Sequence, residues 1–212
     1  MASRLSASRA AVPTASHPLP WQSRDTTGTP VPPDGFRSLM SAFPAGVAVV
    51  TTYGSDGEPR GLTCTSLASV TAEPPILSIC LTTRGETLQA LCDRGAFAVN
   101  LLHDRARHTA EVFAKPVADR FAHTEWQPSP EVGMPWLTDD AFATAECEVT
   151  HLAEVGDHTL VLGLVTGVVR RAGAPLLYGA HRFASWPGGE LPGLHHSTAL
   201  STVAAGAPDA SG

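Results

Sequence analysis

The stretch GVAVVTTYGSDGEPRGLTCTS, residues 46–66, holds two strand-like runs on either side of a turn. Residues 46–53 are rich in β-branched side chains, which favour extended backbone. They end in Gly-Ser-Asp-Gly at 54–57, a combination typical of tight turns. Residues 60–66 then return along the first run. The stretch therefore predicts an antiparallel hairpin.

Strand-like runs also dominate the sequence outside this hairpin. The run 141–154 alternates most clearly, with Ala, Cys or Val at odd positions from 143 to 149 and Thr or Glu at even positions from 144 to 150. The other predicted strands are 75–82, 96–102, 159–171 and 175–186.

Predicted helices are short and few. Residues 36–43 form one, ended by Pro44, and 87–94 form another, with Gly95 as its stop. A third covers 104–114, with Asp104 as its N-cap. Many strands, few helices and no repeated β-α-β rhythm predict a mainly β antiparallel barrel rather than a doubly wound sheet.

The composition at both ends differs from that of the centre. Residues 1–33 and 188–212 are rich in small residues and proline and carry no periodicity, so we expect flexible tails around one domain at 34–187. The Arg- and Ser-rich start shares its composition with transit peptides, but its prolines argue against a targeting helix.

Charge and hydropathy narrow the class of partner. The formal net charge is −6 and the basic residues are scattered, so a nucleic-acid partner is not expected. A hydrophobic content of 43% suits a globular core, and no run approaches the length of a membrane span. The four cysteines, Cys64, Cys80, Cys92 and Cys147, lie in or beside apolar runs, which predicts reduced core thiols and a cytoplasmic protein.

Several standard motifs of catalysis and binding are missing from the sequence. It contains no GxxxxGK[ST] or GxGxxG phosphate loop, no GxSxG nucleophile elbow and no HExxH metal motif. His103 and His108 are five residues apart, which places them on different faces of a helix. No metal site is therefore predicted.

A hydroxyl-rich segment follows the second strand of the hairpin. Residues 61–75, GLTCTSLASVTAEPP, bring together small hydroxyl side chains and backbone N–H groups that could surround a phosphate or the polar rim of a ring. The hydroxyl residues are Thr63, Thr65, Ser66, Ser69 and Thr71. An exposed polar loop is the alternative interpretation.

Three further places could bind a ligand, and each has a structural alternative. Arg84 could face a phosphate beside Thr87, which could cap the next helix; otherwise Arg84 is a surface charge. Gly46 could admit a flat ligand, or Pro44 and Gly46 could simply form a tight turn. Asn100 lies in an apolar strand and needs partners, from either backbone or ligand.

Arg120 and Phe121 place a cation next to an aromatic ring, which could grip an adenine or a phosphate. An ion pair between Asp119 and Arg120 at a helix end is the alternative.

The triplet GDH, residues 156–158, joins two predicted strands. Gly156 and Asp157 are typical of a hairpin turn. His158 is either a solvated turn histidine or a functional one. A general-base role would require a partner that the sequence does not identify.

Taken together, these segments resemble the flavin reductase family, the NAD(P)H:flavin oxidoreductases that supply two-component monooxygenases. The similarity runs from Phe36 to Trp186. It rests on FRSLMSAFPAGVAVVTT, GLTCTSLASVTAEPPILSICL, GAFAVNLL, DRFA, GDH and PLLY in the family's order.

This resemblance implies an FMN-binding split β-barrel with Greek-key topology, normally a homodimer with sites near the subunit interface. It also implies a role for each matching residue. The residues implied at the isoalloxazine ring or behind it are Pro44, Gly46, Val47, Asn100, Leu101 and Leu102. Those implied at the ring edge, ribityl chain, phosphate or adenine are Thr63, Cys64, Thr65, Ser66, Ser69, Arg84, Thr87, Arg120 and Phe121. Those implied at the nicotinamide are Gly156, Asp157 and His158, with Tyr178 nearby.

Three positions depart from the family pattern. Ala45 stands where Thr is usual, Thr65 where Asn or Ser is common, and Leu67 where Phe is common. These departures concern the detailed contacts to the flavin and the choice between FMN and FAD.

The resemblance implies that NADH or NADPH reduces FAD or FMN, and that the reduced flavin leaves for a partner flavin-dependent monooxygenase. His158 would be the catalytic-site residue that positions the nicotinamide. A non-catalytic flavin- or haem-binding carrier or sensor is the alternative. An enzyme similar to pyridoxamine-phosphate oxidase is a third possibility, disfavoured because Lys115 is the only lysine and the arginines are scattered.

Overall fold

The computed structural model describes residues 27–117 and 119–193. Most of both predicted tails therefore lies outside the described residues. Within the second tail, Leu191 exchanges two backbone hydrogen bonds with Gly173, so residues 188–191 return to the domain. None of the described helices has the length and apolar character needed to cross a membrane.

The described residues form three α-helices, one 3-10 helix and twelve strands. The helices are α1 (Pro33–Ser41), α2 (Glu86–Arg94), α3 (Arg107–Phe113) and the 3-10 helix Arg120–His123. The strands are β1 (Ala45–Gly46), β2 (Ala48–Tyr53), β3 (Pro59–Cys64), β4 (Ala68–Ala72), β5 (Pro75–Thr82), β6 (Ala96–Leu102), β7 (Trp126–Pro128), β8 (Pro135–Leu137), β9 (Ala141–Val155), β10 (His158–Arg170), β11 (Leu176–Gly179) and β12 (Arg182–Ser185).

The main sheet has seven strands in the order β3-β2-β6-β9-β10-β5-β4, and every neighbouring pair is antiparallel. A three-stranded sheet, β1-β11-β12, and the pair β7-β8 complete the fold. The predicted mainly β, antiparallel class is confirmed.

The hairpin predicted from residues 46–66 forms as β2 and β3. Their register runs from Ala48 opposite Cys64 to Tyr53 opposite Pro59. Gly57 supplies the left-handed turn residue, with φ of 82°. Ala48 also pairs with Leu101 of β6, so this hairpin is joined directly to the centre of the sheet.

Both faces of the central strands are buried, which explains their apolar sequences. Val50, Ile79, Phe97 and Val161 pack in one cluster, while the neighbouring Val49 packs in another. Other members of the second cluster are Leu102, Phe113, Leu137 and Leu176. Burying each large apolar side chain contributes about 1.5–3 kcal/mol, so packing on both faces holds the sheet in shape.

Three predictions about the elements were wrong. Residues 175–186 form two strands, since Ala180 and His181 adopt positive φ angles of 49° and 59° and turn the chain back. The third helix begins at Arg107, so Asp104 does not cap it. Residues 68–72, interpreted as part of a polar loop, form edge strand β4.

The cysteine prediction was correct for only two of the four residues. Cys64 and Cys147 are buried, whereas Cys80 and Cys92 are exposed. In β5 the core side is taken by Leu77, Ile79 and Leu81, so the intervening Cys80 points the other way. All four described thiols are free.

Candidate functional site

The triplet GDH forms the turn between the two longest strands. Gly156 has φ of 63°, and His158 is the first residue of β10. His158 lies opposite Val155 on β9 and opposite Thr82 on β5. Its backbone is therefore held on both sides, while its side chain is 48% exposed. The predicted hairpin turn is correct, and it presents the imidazole at the surface.

The structure supplies a partner for His158 that the sequence did not identify. His158 Nδ1 lies 2.7 Å from Asp157 Oδ1. The hydrogen bond and the charge of the imidazole hold the pKa of the Asp157 carboxyl below its ordinary range. Asp157 is itself 92% exposed, so this pair stands at the rim of the sheet.

The loop after β5 is tied to the same turn. The Thr83 backbone N–H donates to the Asp157 carbonyl oxygen over 3.0 Å. The hydroxyls of Thr83 and the buried Thr159 lie 3.1 Å apart. These contacts bring Arg84 and the start of α2 next to His158. Arg84 is exposed and has no ion-pair partner among residues 27–117 and 119–193.

Helix α2 begins without the side-chain cap that was predicted. Gly85 is the N-cap residue, and no described side chain caps the helix. Thr87 lies within the first turn, where it is buried. The free groups at this end are therefore the first backbone N–H groups, which attract anions. Glu86 adds a carboxylate at the same end.

A groove of about 990 Å³ adjoins the start of α2. Three of the predicted ligand residues line it: Thr87, Arg120 and Phe121. Its other walls come from the start of β3 and from Trp126. The structure thus places Thr87, Arg120 and Phe121 in one groove, and Arg84 immediately precedes Gly85 in its wall.

Arg120 acts largely as a structural brace. Its guanidinium donates twice to the Lys115 carbonyl oxygen and once, over 2.7 Å, to the Gly61 carbonyl oxygen. Three of its five N–H donors are therefore occupied. The alternative ion pair with Asp119 is not among the ion pairs of the described residues. Phe121 packs edge-to-face against Phe113 and Trp126, at 5.1 and 5.6 Å between ring centroids.

The hydroxyl-rich segment divides into structural and free side chains. The Thr63 hydroxyl donates to the Ala110 carbonyl oxygen over 2.6 Å. Ser66 Oγ bonds both the N–H and the carbonyl oxygen of Cys80. Because these hydroxyls already have partners, they anchor the segment rather than offer themselves to a ligand.

Cys64 is also part of this anchor, with its Sγ 3.2 Å from Ser66 Oγ. Burial raises the pKa of its thiol. By contrast, Thr65 and Ser69 are exposed, and their hydroxyls make no hydrogen bond within the part of the chain that the structure describes. These two side chains remain available to a ligand.

Asn100 belongs to the core. Its side chain is 0% exposed, and its amide nitrogen donates to the Val49 and Pro135 carbonyl oxygens and to Thr51 Oγ1. Its amide oxygen accepts from the Leu137 N–H and from Thr144 Oγ1. The partners that this buried Asn requires are therefore groups of neighbouring strands, and its place behind a flavin stays a prediction.

The remaining predicted residues meet where the two sheets join. Ala45 pairs with Tyr178 across β1 and β11, and Val47 bonds Leu176 and Leu102 through its backbone. Val47 and Leu102 are buried, and Leu101 is half-buried. A Cβ atom added to Gly46 would meet no described atom within 4 Å, so the backbone of this residue is open to a flat ligand.

Strand β5 connects these regions. Ser66 bonds to the backbone of Cys80, and His158 pairs with Thr82, two residues further along. That separation is about 7 Å along a strand. The hydroxyl segment and the GDH turn thus flank the same end of β5.

Two residues that the sequence interpretation missed are Thr83 and Glu146. The role of Thr83 depends on strand register, which the sequence does not display. Glu146 occupies one of the even, polar positions of the alternating run 141–154, yet it is buried, and its carboxylate accepts from Ser129 Oγ and from the N–H groups of Glu131 and Val132. It therefore fixes a loop. Among residues 27–117 and 119–193, no cluster of His, Cys, Asp and Glu could hold a metal ion.

Comparison with known proteins gives consistent results. The flavin reductase like domain family matches residues 40–187. A flavin reductase (NADPH) from Lentzea aerocolonigenes is 51% identical over 162 residues, which cover 76% of this chain and 95% of that protein. A flavin reductase (NADH) from Kitasatospora aureofaciens is 44% identical over 174 residues, covering 81% and 89%.

Among solved structures, the NADH:FAD oxidoreductase SgcE6 of Streptomyces globisporus C-1027, in complex with NAD and FAD fragments, superposes with a TM-score of 0.69. It is 35% identical, and the match covers 75% of this chain and 97% of that one. A more distant relative is the reductase subunit HsaB of a Mycobacterium tuberculosis flavin-dependent monooxygenase, 34% identical over 64% of this chain and 71% of that one.

The chain belongs to the flavin reductase like domain family. The resemblance drawn from the sequence is confirmed, and so is the split-barrel fold class, since the matching structures are flavin reductases of this fold. The protein is an enzyme of the flavin reductase class. The alternative of a non-catalytic flavin- or haem-binding carrier or sensor is therefore not supported.

Proposed function

We propose that this enzyme uses NADH or NADPH to reduce free FAD or FMN and releases the reduced flavin to a flavin-dependent monooxygenase. The observation that carries the proposal is the register of β5 with β10. It sets His158 opposite Thr82 and so joins the GDH turn to the loop that leads into α2. The names of the relatives, which include both nucleotides and a monooxygenase reductase subunit, support the same activity.

When bound, reduced nicotinamide and flavin supply the chemistry, a hydride transfer between their rings, and the protein binds and orients them. We assign the ring of the flavin to the surface around Gly46, Thr65 and Ser69. Gly46 leaves room for a flat ligand, and both hydroxyls are exposed. Because β4 is an edge strand, its outward N–H groups can donate to the electron-rich edge of the ring.

The phosphate of the flavin would lie at the start of α2. The first N–H groups of this nine-residue helix are oriented toward that end, and Arg84 precedes them with an unpaired guanidinium among the described residues. Partial positive charge at a helix N-terminus and a full positive charge on arginine both attract a phosphate. The Glu86 carboxylate opposes this attraction, which makes it a useful position to test.

FAD is the flavin that we favour. The groove beside Thr87 measures about 990 Å³, and Phe121 and Trp126 form part of its wall. Aromatic rings stack on adenine, and a groove of this size exceeds the needs of the single phosphate of FMN.

Trp126→Leu keeps apolar volume but removes the flat ring, so it should raise KM for FAD severalfold and leave KM for FMN unchanged. Equal effects on both flavins would contradict this assignment.

His158 and Tyr178 would border the nicotinamide. His158 offers an exposed imidazole with its backbone fixed between two strands. Tyr178 is partly exposed and packs against Phe183 with 5.0 Å between ring centroids. We assign to His158 the positioning of the nicotinamide by hydrogen bonding or packing.

We also propose a homodimer. Helix α1 has no buried residue, and its exposed side chains include Phe36, Leu39 and Met40. The main sheet exposes Val70, Leu152 and Val155 as well. Apolar surface of this kind marks a protein interface, and a second copy is the occupant that the family resemblance implies.

Sedimentation equilibrium should give twice the chain mass, and Phe36→Asp with Leu39→Asp should give monomers. A wild-type protein that sediments as a monomer would contradict the proposed homodimer.

A steady-state assay that crosses both flavins with both nucleotides tests the proposed activity. We expect loss of NAD(P)H absorbance only when a flavin is added, with FAD more effective than FMN. The absence of flavin-stimulated oxidation with either nucleotide would overturn the proposal.

A further inference from the structure

The His158 side chain has one close polar partner among the described residues, the Asp157 carboxylate. An ionised carboxylate can only accept hydrogen bonds. At 2.7 Å the contact therefore requires a proton on Nδ1. In the neutral imidazole this leaves Nε2 as a bare acceptor, turned away from Asp157.

Exposed pairs of this type usually contribute little, because both side chains must be ordered to form them. Here the backbone removes much of that cost. Gly156 closes the turn, His158 is paired with strands on both sides, and the Asp157 carbonyl oxygen accepts from the Thr83 N–H over 3.0 Å. Because the main chain at Asp157 is already fixed, less conformational freedom is lost when its carboxylate bonds His158.

We propose that Asp157 is a positioning residue, which holds His158 in the Nδ1–H tautomer and so directs its Nε2 acceptor toward the nicotinamide carboxamide. This inference rests on the proposed function, which puts the nicotinamide at His158. The carboxamide carries an N–H₂ donor group, for which a fixed acceptor is the complementary partner. Asp157 acts through His158 and need not touch the nucleotide.

The first test uses the wild-type protein without nucleotide. Long-range ¹H–¹⁵N correlation spectra report which ring nitrogen of a neutral histidine carries the proton, and the His158 signals are assigned by their loss in His158→Ala. We expect the Nδ1–H form in wild type and a shift toward the Nε2–H form in Asp157→Ala. A wild-type His158 in the Nε2–H form would overturn the inference, whether or not the enzyme is active.

The second test separates the effect of Asp157 from that of charge. Losing one positioning hydrogen bond should raise KM for the nicotinamide nucleotide roughly three- to tenfold in Asp157→Ala, with kcat and KM for flavin within about twofold of wild type. Glu154→Ala is the matched control, because Glu154 is an exposed acid in the same hairpin with no ion pair among the described residues. Equal effects of the two variants would overturn the inference.

A double-mutant cycle completes the design. If Asp157 acts through His158, Asp157→Ala should raise the nucleotide KM no further when His158 is already alanine. Additive effects would mean a direct role for Asp157 and would contradict the inference. Failure of the wild type to oxidise either nucleotide would instead overturn the proposed function, and the tautomer measurement would still stand.

Discussion

The core around Asn100 and the turn at Asp157–His158 are both polar, but they use their polar groups in opposite ways. The Asn100 amide is fully enclosed and has five protein partners within hydrogen-bond distance. The His158 imidazole is half exposed and has one close partner. A satisfied polar group in the core stabilises the fold, whereas a held but incompletely paired one at the rim can still bind a ligand.

The largest effect that this comparison predicts is on stability. Asn100→Leu should lower the free energy of unfolding by about 2–4 kcal/mol, because the Leu137 N–H and the hydroxyls of Thr51 and Thr144 lose a buried partner. Urea denaturation measures the loss. Thr65→Ala, at an exposed hydroxyl, is the control and should change stability by less than about 0.5 kcal/mol. Equal stability of the two variants would break the distinction.

The second prediction concerns the rim. His158→Ala should leave the unfolding free energy nearly unchanged and raise KM for the nicotinamide nucleotide by about tenfold, while KM for flavin stays near that of wild type. Steady-state kinetics at varied nucleotide and varied flavin separate the two constants. An unchanged nucleotide KM would make His158 an ordinary turn residue.

The third prediction distinguishes the proposed phosphate site at Arg84 from the proposed nicotinamide site at His158. Arg84→Ala should raise KM for flavin roughly three- to tenfold, because one charge-assisted contact to the phosphate is lost, without altering KM for the nucleotide. Arg105→Ala serves as control, since Arg105 is also exposed but follows β6 rather than leading into α2. If both variants weaken flavin equally, the effect is one of overall charge.

These regions were not equally predictable from the sequence. The strands, the β2–β3 hairpin and the GDH turn follow local rules of side-chain alternation and turn chemistry. The satisfied partners of Asn100, Thr63 and Ser66 come from segments 14 to 51 residues away. Strand register and packing decide such contacts. The residue types alone therefore do not show whether a polar side chain binds the protein or a ligand.

The same limit applies to the burial of individual residues. Cys80 and Cys92 lie in apolar runs but on outward faces, and Glu146 lies among polar alternating residues but points inward. Composition and pattern predict an element and its average environment. The orientation of one side chain depends on which face the neighbouring strands cover.

A smaller, pH-dependent effect follows from buried Cys147. Burial, with the nearby charge of Glu146 as a lesser cause, raises its pKa from 9.0 to about 12. Between these values the unfolded chain loses the proton and the folded chain retains it, so stability should fall as pH rises from 9.0 toward about 12. Cys147→Ala should flatten this alkaline decline in urea denaturation, and exposed Cys80→Ala should not. The same slope in both variants would contradict the assignment.

The smallest effect concerns Glu86 at the start of α2. Glu86→Gln removes a negative charge from the proposed phosphate site, so flavin affinity should rise by about two- to threefold at low salt and by less at high salt. Fluorescence titration of flavin measures this change. Weaker binding would mean that the carboxylate supports the site rather than opposes it.

Anaerobic flavin reduction tests most directly whether the GDH turn and the hydroxyl-rich segment 61–75 bring nicotinamide and flavin together. Protein, FAD and NADH or NADPH are mixed without oxygen, and the yellow absorbance of the flavin is followed in wild type and in His158→Ala. We expect rapid bleaching by wild type and slower bleaching by the variant at low nucleotide, with equal rates at saturation. A flavin that stays yellow with the wild type and either nucleotide would show that this site does not bring the two rings together.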